Sequence, residues 1–261
     1  MRVLIVGDVH GRHQALAAEL RRVQSNYRIA AAIQVGDFGL TGPAMEQLGG
    51  ERVRFPVPLH VIDGNHEDHA WLRRALRSGA AAAWAEEFNL VYQPRPSLAH
   101  FGSSTAGFMG GALHVDRPQR RGLLGGIPNY ILRRQRAEAA ALFNRTRPVL
   151  IVTHSCPTRI GIGLRGTPGL ALGVNTHITE AGFDPGAPDD RGEAELERLW
   201  KELEYRPRAW VFGHFHRMHQ AVIEDTQFIC VDAKIDAPGR TLVIWDTEEQ
   251  RLLACPADPG R

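Results

Sequence analysis

The sequence predicts a layered α/β fold. Short apolar runs rich in β-branched residues are each followed by a polar cluster and then by a helical pattern, and this order occurs three times in the first third of the chain. Such runs are typical of buried strands, and apolar residues three or four positions apart are typical of a helix packed on a sheet. Strand, polar cluster and helix in alternation is the pattern of βαβ units in a layered domain.

The three units share one layout. We predict strands at residues 3–6, 31–35 and 59–62, and helices near residues 13–23, 44–48 and 68–76. The strands end at Gly7-Asp8-Val9-His10-Gly11, Gly36-Asp37-Phe38-Gly39 and Asp63-Gly64-Asn65-His66-Glu67. Each predicted strand therefore leads into side chains that are able to bind a ligand.

The rest of the chain is less regular but contains two more strands of this kind. Strands predicted at residues 149–152 and 208–212 end at Thr153-His154-Ser155 and Gly213-His214-Phe215-His216. Further strands are predicted near residues 90–92, 98–101, 107–111, 220–223, 228–231 and 241–245, and helices near residues 131–144 and 193–203. The later strands are expected to form an antiparallel set, because turn residues separate them.

We predict a single domain over residues 1–261. Residues 155–191 are rich in Gly and Pro and show no periodicity. So long a loop in a compact domain is usually functional, and we expect it to lie near the active site. Residues 256–261 are predicted to form a frayed tail.

The composition argues against several classes of protein. The net charge is +2, from 31 basic and 29 acidic residues, which is too balanced to indicate nucleic-acid binding by bulk charge. No stretch approaches about 18 uninterrupted apolar residues, so neither a membrane span nor a membrane partner is expected. Cys156, Cys230 and Cys255 show no C-x-x-C spacing, which argues against a disulfide framework and favours a reducing, cytoplasmic location.

The polar residues that end the strands are candidate metal ligands. They are Asp8, His10, Asp37, Asn65, His66, His154, His214 and His216. Ligands of open α/β sheets bind at the carboxyl ends of strands, where these side chains would converge. Taken singly, Asp8 or Asp37 is equally typical of a helix N-cap, and Asn65 of a turn. Imidazole and carboxylate ligands without a thiolate suit divalent ions such as Mn, Fe, Zn and Co.

These residues form five blocks that resemble the calcineurin-like metallophosphoesterases. In order along the chain, the blocks are Asp8-Val9-His10, Gly36-Asp37, Gly64-Asn65-His66-Glu67, His154 and Gly213-His214-Phe215-His216. The resemblance implies a four-layer α/β/β/α sandwich with two central mixed sheets. It also implies a dinuclear metal-dependent enzyme that hydrolyses phosphomonoesters or phosphodiesters.

The resemblance further implies a role for each residue. One metal would be bound by Asp8, His10 and His216, and the other by Asn65, His154 and His214. Asp37 would bridge the metals, and a bridging hydroxide would attack the phosphorus in line. His66 would donate a proton to the leaving group or stabilise the transition state, which makes Asp37 and His66 the predicted catalytic residues. Mn is the expected metal, with Fe, Zn, Co or Ni as alternatives.

The second block departs from the pattern of two related groups. Protein Ser/Thr phosphatases and dinucleoside-tetraphosphate hydrolases extend it to G-D-x-x-[DN]-R-G, and Gly36-Asp37-Phe38-Gly39-Leu40-Thr41-Gly42 has neither the acid or amide nor the arginine. The carboxylate that would orient His66 is therefore missing here, and Asp63 and Glu67 are the alternatives. A stretch at residues 110–116 resembles generic metallophosphoesterases of bacteria and phages, which implies no defined substrate.

A basic loop supplies candidate substrate contacts. Arg117, Arg120 and Arg121, together with Asn65, are predicted to bind the phosphoryl group, because guanidinium forks suit phosphate oxygens. A solvated basic loop is the alternative interpretation. The following histidines match no block and are assigned no role: His13, His60, His69, His100, His114 and His219.

Two alternatives to this enzyme stay open. One is a non-catalytic binding scaffold with the same fold, and the other is a nuclease or nucleotide phosphodiesterase. Scaffold members of the family lose ligands, whereas this chain retains all of them, so the sequence favours the enzyme. The expected partner is a phosphorylated small molecule, a nucleotide or a nucleic acid, and the oligomeric state is left open.

Overall fold

Two mixed β-sheets form the centre of the molecule. The structure, a computed structural model, describes residues 1–119, 127–163, 172–233, 235 and 241–256. Each sheet has six strands, and helices pack on the outer face of each. The predicted four-layer α/β/β/α sandwich is confirmed.

The first sheet contains both ends of the described chain. Its strands are β1 (Arg2–Val6), β2 (Ile29–Gln34), β3 (Leu59–Val61), β4 (Leu90–Tyr92), β11 (Thr241–Asp246) and β12 (Arg251–Pro256). Their order is β12-β11-β1-β2-β3-β4. The strands β1 to β4 run parallel, while β11 and β12 pair antiparallel at one edge.

The second sheet is built from the middle of the chain. Its strands are β5 (Ser97–Phe101), β6 (Ser104–Met109), β7 (Leu150–Thr153), β8 (Ala209–Phe212), β9 (His219–Ile223) and β10 (Thr226–Cys230). Their order is β5-β6-β7-β8-β10-β9. The four inner strands run parallel, and β5 and β9 are antiparallel edges.

Strand β1 shows how the sequence forms two core layers. Val3 and Ile5 pack between the sheets, against residues of the second sheet such as Val152. Leu4 and Val6 point the other way and pack against the outer helices. This alternation follows from the two-residue period of a strand. Burial of each such side chain stabilises the fold by about 1.5–3 kcal/mol.

Six α-helices of the described residues cover the sheets. They are α1 (His13–Tyr27), α2 (Gly42–Gly50), α3 (His69–Arg77), α4 (Ala80–Phe88), α5 (Arg133–Thr146) and α6 (Ala194–Glu202). Helices α1 to α4 pack on the first sheet, and α5 and α6 on the second.

Three elements differ from the sequence prediction. Helix α4 was not predicted, because its alanine-rich sequence buries only Trp84 and Phe88 and shows little apolar periodicity. Strand β12 was also not predicted, and it ends where the frayed tail was expected to begin, while residues 257–261 lie outside the described part. The loop at residues 155–191 contains a π-helical segment, Val174–Thr179.

Two further findings concern membranes and thiols. Across the described ranges, every helix is too short or too polar to cross a membrane. All three cysteines are free, and Cys156 and Cys230 are buried.

Candidate metal centre

Five parallel strands position the predicted ligands. Strands β1, β2 and β3 are neighbours in the first sheet, and β7 and β8 are neighbours in the second. The carboxyl ends of parallel strands lie at the same edge of a sheet. The loops after these strands meet between the two sheets, where the backbone N–H of His214 donates to Oδ1 of Asp8 at 3.0 Å.

The first group of candidate ligands is Asp8, His10 and His216. Nε2 of His216 lies 3.1 Å from Oδ2 of Asp8 and 3.0 Å from Nε2 of His10. Asp8 is buried, while His10 and His216 are exposed, so the group opens towards solvent. One ligand atom from each residue lies within 4.8 Å of the others, and the three residues are therefore able to hold one metal ion.

The second group is Asp37, His154 and His214, with Asn65 beside it. The ligand atoms of the first three also lie within 4.8 Å of one another. Nε2 of His154 is 3.3 Å from Oδ2 of Asp37 and 3.0 Å from Oδ1 of Asn65. Nδ1 of His154 donates to the carbonyl of Val35 at 2.8 Å, so Nε2 is the atom that faces the two oxygens. With the imidazole of His214, the group offers two nitrogens and two oxygens, which fit a divalent cation.

Burial and the charges within the second group shift the pKa values of its residues. Burial lowers the pKa of His154, but the Asp37 carboxylate outweighs it and raises that pKa to about 10. A cation bound at Nε2 would take the place of this proton. Burial and the neighbouring His154 lower the pKa of His214 to about 3. Burial acts to raise the pKa of Asp37, but His154 and His66 hold it well below its usual range, so Asp37 is ionised, as a metal ligand must be.

The candidate ligands have an unusual backbone conformation. His10, Asp37, His214 and His216 have φ of 48°, 55°, 68° and 51°. Left-handed backbone is uncommon for residues other than glycine and costs about 1–3 kcal/mol each. The Asp37 carbonyl holds the first loop by accepting from the N–H of His10 at 2.8 Å. Strain of this kind typically accumulates at functional sites.

Two glycines of the blocks are required by close packing. A Cβ on Gly64 would lie 2.2 Å from Oδ1 of Asp37 and 2.7 Å from Nε2 of His154. A Cβ on Gly213 would lie 2.2 Å from Oδ1 of Asp8. Because real Cβ contacts stay above 3.0 Å, a side chain at either position would displace a candidate ligand.

His66 lies beside both groups without belonging to either. Its ring centroid is 5.4 Å from that of His10, and its Nε2 is 3.9 Å from Oδ2 of Asp37. Oδ2 of Asp116 is nearer, at 3.5 Å from Nε2. Arg117 donates from Nη2 to Nδ1 of His66 at 2.6 Å, and a neutral ring that accepts at Nδ1 carries its proton on Nε2. Burial is the main cause of a lowered pKa for His66, which favours this neutral form.

The two carboxylates considered as orienting partners of His66 have other roles. Asp63 forms a buried ion pair with Arg95 and accepts from the Tyr92 hydroxyl at 3.1 Å. Glu67 accepts from the N–H of Gly64 at 2.8 Å, and burial raises its pKa to about 8. The carboxylate beside His66 is instead Asp116, which follows β6 rather than β2 or β3.

His114, to which the sequence assigned no role, contacts the site. It is fully buried, and its Nδ1 lies 2.9 Å from Nδ2 of Asn65. Nδ1 therefore accepts from the amide, which turns Oδ1 of Asn65 towards His154. The side chain of Gln119 accepts from the His114 N–H at 3.0 Å and donates to its carbonyl at 2.8 Å. The available sequence signal was the strand predicted at residues 107–111, which is followed by His114 and Asp116.

The arginines of the basic loop are described only in part. Arg117 lies at the site, in contact with His66. Arg120 and Arg121 lie outside the described residues. The substrate contacts predicted for the three arginines stay predictions.

Solved structures from several organisms share this fold. The TT1561 protein of Thermus thermophilus is 10% identical with a TM-score of 0.60, over 98% of this chain and 99% of that one. GAP50, the anchor in the inner membrane complex of Plasmodium, is 14% identical with a TM-score of 0.55, over 100% and 86%. A putative 5'-nucleotidase from Staphylococcus aureus is 15% identical with a TM-score of 0.50, and the chain spans 52% of its length. At such identities the similarity shows the fold alone.

The sequence comparisons give the family. Among curated proteins, no significant match was found. A family model described as calcineurin-like phosphoesterase matches residues 1–218, which include all five blocks. The chain therefore belongs to the calcineurin-like phosphoesterases.

Proposed function

We propose that this protein is a dinuclear metal-dependent phosphoesterase. The observation that carries the proposal is the presence of two adjacent ligand groups, one around Asp8 and one around Asp37, with His66 beside both. The family assignment supports a phosphoester as the substrate. Mn is the ion that we expect, and Fe, Zn, Co or Ni suit the same nitrogen and oxygen ligands.

Each residue of the centre has a defined part in this proposal. When bound, two divalent cations would neutralise phosphoryl charge and lower the pKa of a water molecule towards neutrality. Asp37 and Asn65 direct oxygen atoms towards His154 of the second group, and a hydrogen bond to His114 fixes the orientation of the Asn65 amide. His66 holds a proton on Nε2 for the leaving oxygen, which is the task of a general acid. Two divalent cations would carry more positive charge than the carboxylates of Asp8 and Asp37 balance, and the surplus would attract an anionic ester.

The competing proposal is a binding scaffold of the same fold. GAP50 is the anchor in the inner membrane complex of Plasmodium, so the same fold is found in a protein with an anchoring role. In this chain, both groups keep their ligands at distances that suit metal binding. The free thiols fit the cytoplasmic location that we propose for either function.

Turnover of two chromogenic esters separates the enzyme from the scaffold. We expect the Mn-loaded protein to hydrolyse p-nitrophenyl phosphate, bis-p-nitrophenyl phosphate or both, and the ratio of their kcat/KM values to show whether the protein prefers monoesters or diesters. Metal content is measured on the same sample. Two bound metals without turnover of either ester would support the scaffold instead.

Replacing Asp116 with Asn, or Arg117 with Met, should slow the hydrolysis of esters with poor leaving groups more than that of esters with good leaving groups. Both residues contact His66, and partners that orient a functional side chain commonly contribute about 10–100-fold. We expect a loss in that range in kcat for phenyl phosphate and a much smaller loss for p-nitrophenyl phosphate, whose leaving group needs little proton donation.

An exposed arginine provides the control for this pair. Arg134 on α5 has a side chain that is 80% exposed, so Arg134→Met should leave both rates unchanged. If the Asp116 and Arg117 variants lost the same factor on both substrates, their action through the proton of His66 would be refuted.

A further inference from the structure

A cavity of about 480 Å³ adjoins the candidate metal centre. Its lining includes Asp37, Asn65 and His66, together with His214 and His216. The cavity is therefore continuous with the place where the proposed function puts the phosphoryl group. Its volume lies in the range of small-molecule sites, about 300–1,000 Å³.

Part of the cavity wall is apolar and comes from two separate hydrophobic clusters. Leu113, Val174 and Ile178 belong to one small cluster, against which Val115 packs. Phe215 lines the same cavity but packs against the cluster outside the second sheet. Because Phe215 stands between His214 and His216 in the chain, the apolar surface begins next to the candidate ligands.

Two charged residues of the lining, Arg191 and Glu193, are bonded within the protein, whereas Asp184 and Arg217 are exposed. Glu193 is nearly buried and accepts from the N–H of Leu113 at 2.9 Å. Arg191 donates to the carbonyls of Pro185 and Gly186 at 3.1 and 2.9 Å. These bonds hold the loop at residues 185–193 against the cavity. Binding at the apolar wall therefore depends on apolar contact rather than on the charges of Arg191 and Glu193.

We propose that this cavity binds an apolar ring on the organic group of the phosphoester substrate. The proposal rests on the proposed function, since that function places the phosphoryl group at the two ligand groups. The apolar side chains of the two clusters suit an apolar ring. A glycerol or sugar group would lose its hydrogen bonds to water when it bound against the same side chains. The π-helical segment Val174–Thr179 supplies Val174 and Ile178 and thus acts in specificity.

Binding of two phosphonates to the Mn-loaded protein tests the proposal. Phenylphosphonate and methylphosphonate share the charged group and differ in the ring, and titration calorimetry measures each Kd. We expect phenylphosphonate to bind at least about tenfold more tightly, because burial of a ring removes apolar surface from water. Ile178→Asp should reduce this ratio to less than about threefold, because a carboxylate in the wall must be desolvated.

Two further variants make the test specific. Leu172→Asp places the same charge two residues before the segment, at a residue that is 69% exposed, and it should keep the wild-type ratio. Ile178→Phe keeps the wall apolar but fills part of the cavity, so it should also lower the ratio and does not introduce a buried charge. Circular dichroism melts show whether each variant is folded.

The outcomes separate this inference from the proposed function. Equal affinities for the two phosphonates, or a wild-type ratio in folded Ile178→Phe, would overturn the ring site while ester hydrolysis still supports the phosphoesterase. Absence of hydrolysis of every ester would reject the phosphoesterase and, with it, the assignment of the ring to a substrate. A phenyl preference that Ile178 variants abolish, in a protein that hydrolyses esters, supports both.

Discussion

Replacing Asp37 with alanine is expected to lower kcat/KM by more than about 10³-fold and to remove bound metal at the same time. Asp37 is the carboxylate of the second ligand group, and its Oδ2 lies 3.3 Å from Nε2 of His154. Its other oxygen accepts from the His66 N–H at 2.8 Å, so the same side chain also holds the loop that carries Asn65 and His66. Metal ions commonly supply several kcal/mol of transition-state stabilisation, and each ~1.36 kcal/mol is a factor of ten in rate.

The measurement combines kinetics with metal analysis. The kcat/KM for p-nitrophenyl phosphate and the Mn content per chain are determined for wild type, Asp37→Ala and the isosteric Asp37→Asn. Asp68→Ala is the matched control, because Asp68 caps α3 by accepting from the Trp71 N–H at 3.0 Å. It should cost about 1 kcal/mol of stability and keep the metals. Two metals per chain in Asp37→Ala would show that Asp37 is not the shared ligand.

Replacing His66 with alanine is expected to lower kcat by about 10²–10⁴-fold, the usual contribution of a general acid. Metal content at the groups around Asp8 and Asp37 should stay at the wild-type level, because neither group includes His66, whose own cluster is with His114 and Asp116. KM should change little, since the lost interaction acts on the leaving group in the transition state. The half-buried position of His66 also keeps the expected loss of stability small.

The decisive comparison is between the two variants. Metal content, kcat and KM are measured for His66→Ala beside Asp37→Ala, and His100→Ala on β5 serves as the control at an exposed histidine. We expect metal loss only in Asp37→Ala and a leaving-group dependence only in His66→Ala. Equal metal loss in both variants would show that His66 is a ligand and not a proton donor.

Local sequence patterns identify most of the candidate metal ligands. Asp8, Asp37, Asn65, His154 and His214 each follow directly on a strand that an apolar run predicts. Parallel strands place their carboxyl ends at one edge, so neighbours such as β1, β2 and β3 bring their ligands together once the sheet forms. For the same reason, the sequence predicted the layered fold and the candidate ligands, whereas the division of the ligands into two sets came from the resemblance to the family.

The contacts around His66 join residues that are far apart in the chain, so no local sequence pattern predicts them. His66 and Arg117 are 51 residues apart, and Asn65 and His114 are 49 apart. They meet because β6 pairs parallel with β7 in the second sheet, which brings the loop after β6 to the metal centre. The sequence therefore pointed to Asp63 and Glu67, which are close in the chain, and not to Asp116.

The sequence by itself determined the fold class, the family blocks and the residues able to bind two metals, because each depends on periodicity and on the residue at a strand end. Only the tertiary structure decided which carboxylate lies beside His66, what turns the Asn65 amide and which side chains line the cavity. These features depend on how two sheets and a π-helical segment pack together. Packing between segments that are distant in the chain produces no periodic pattern in the sequence.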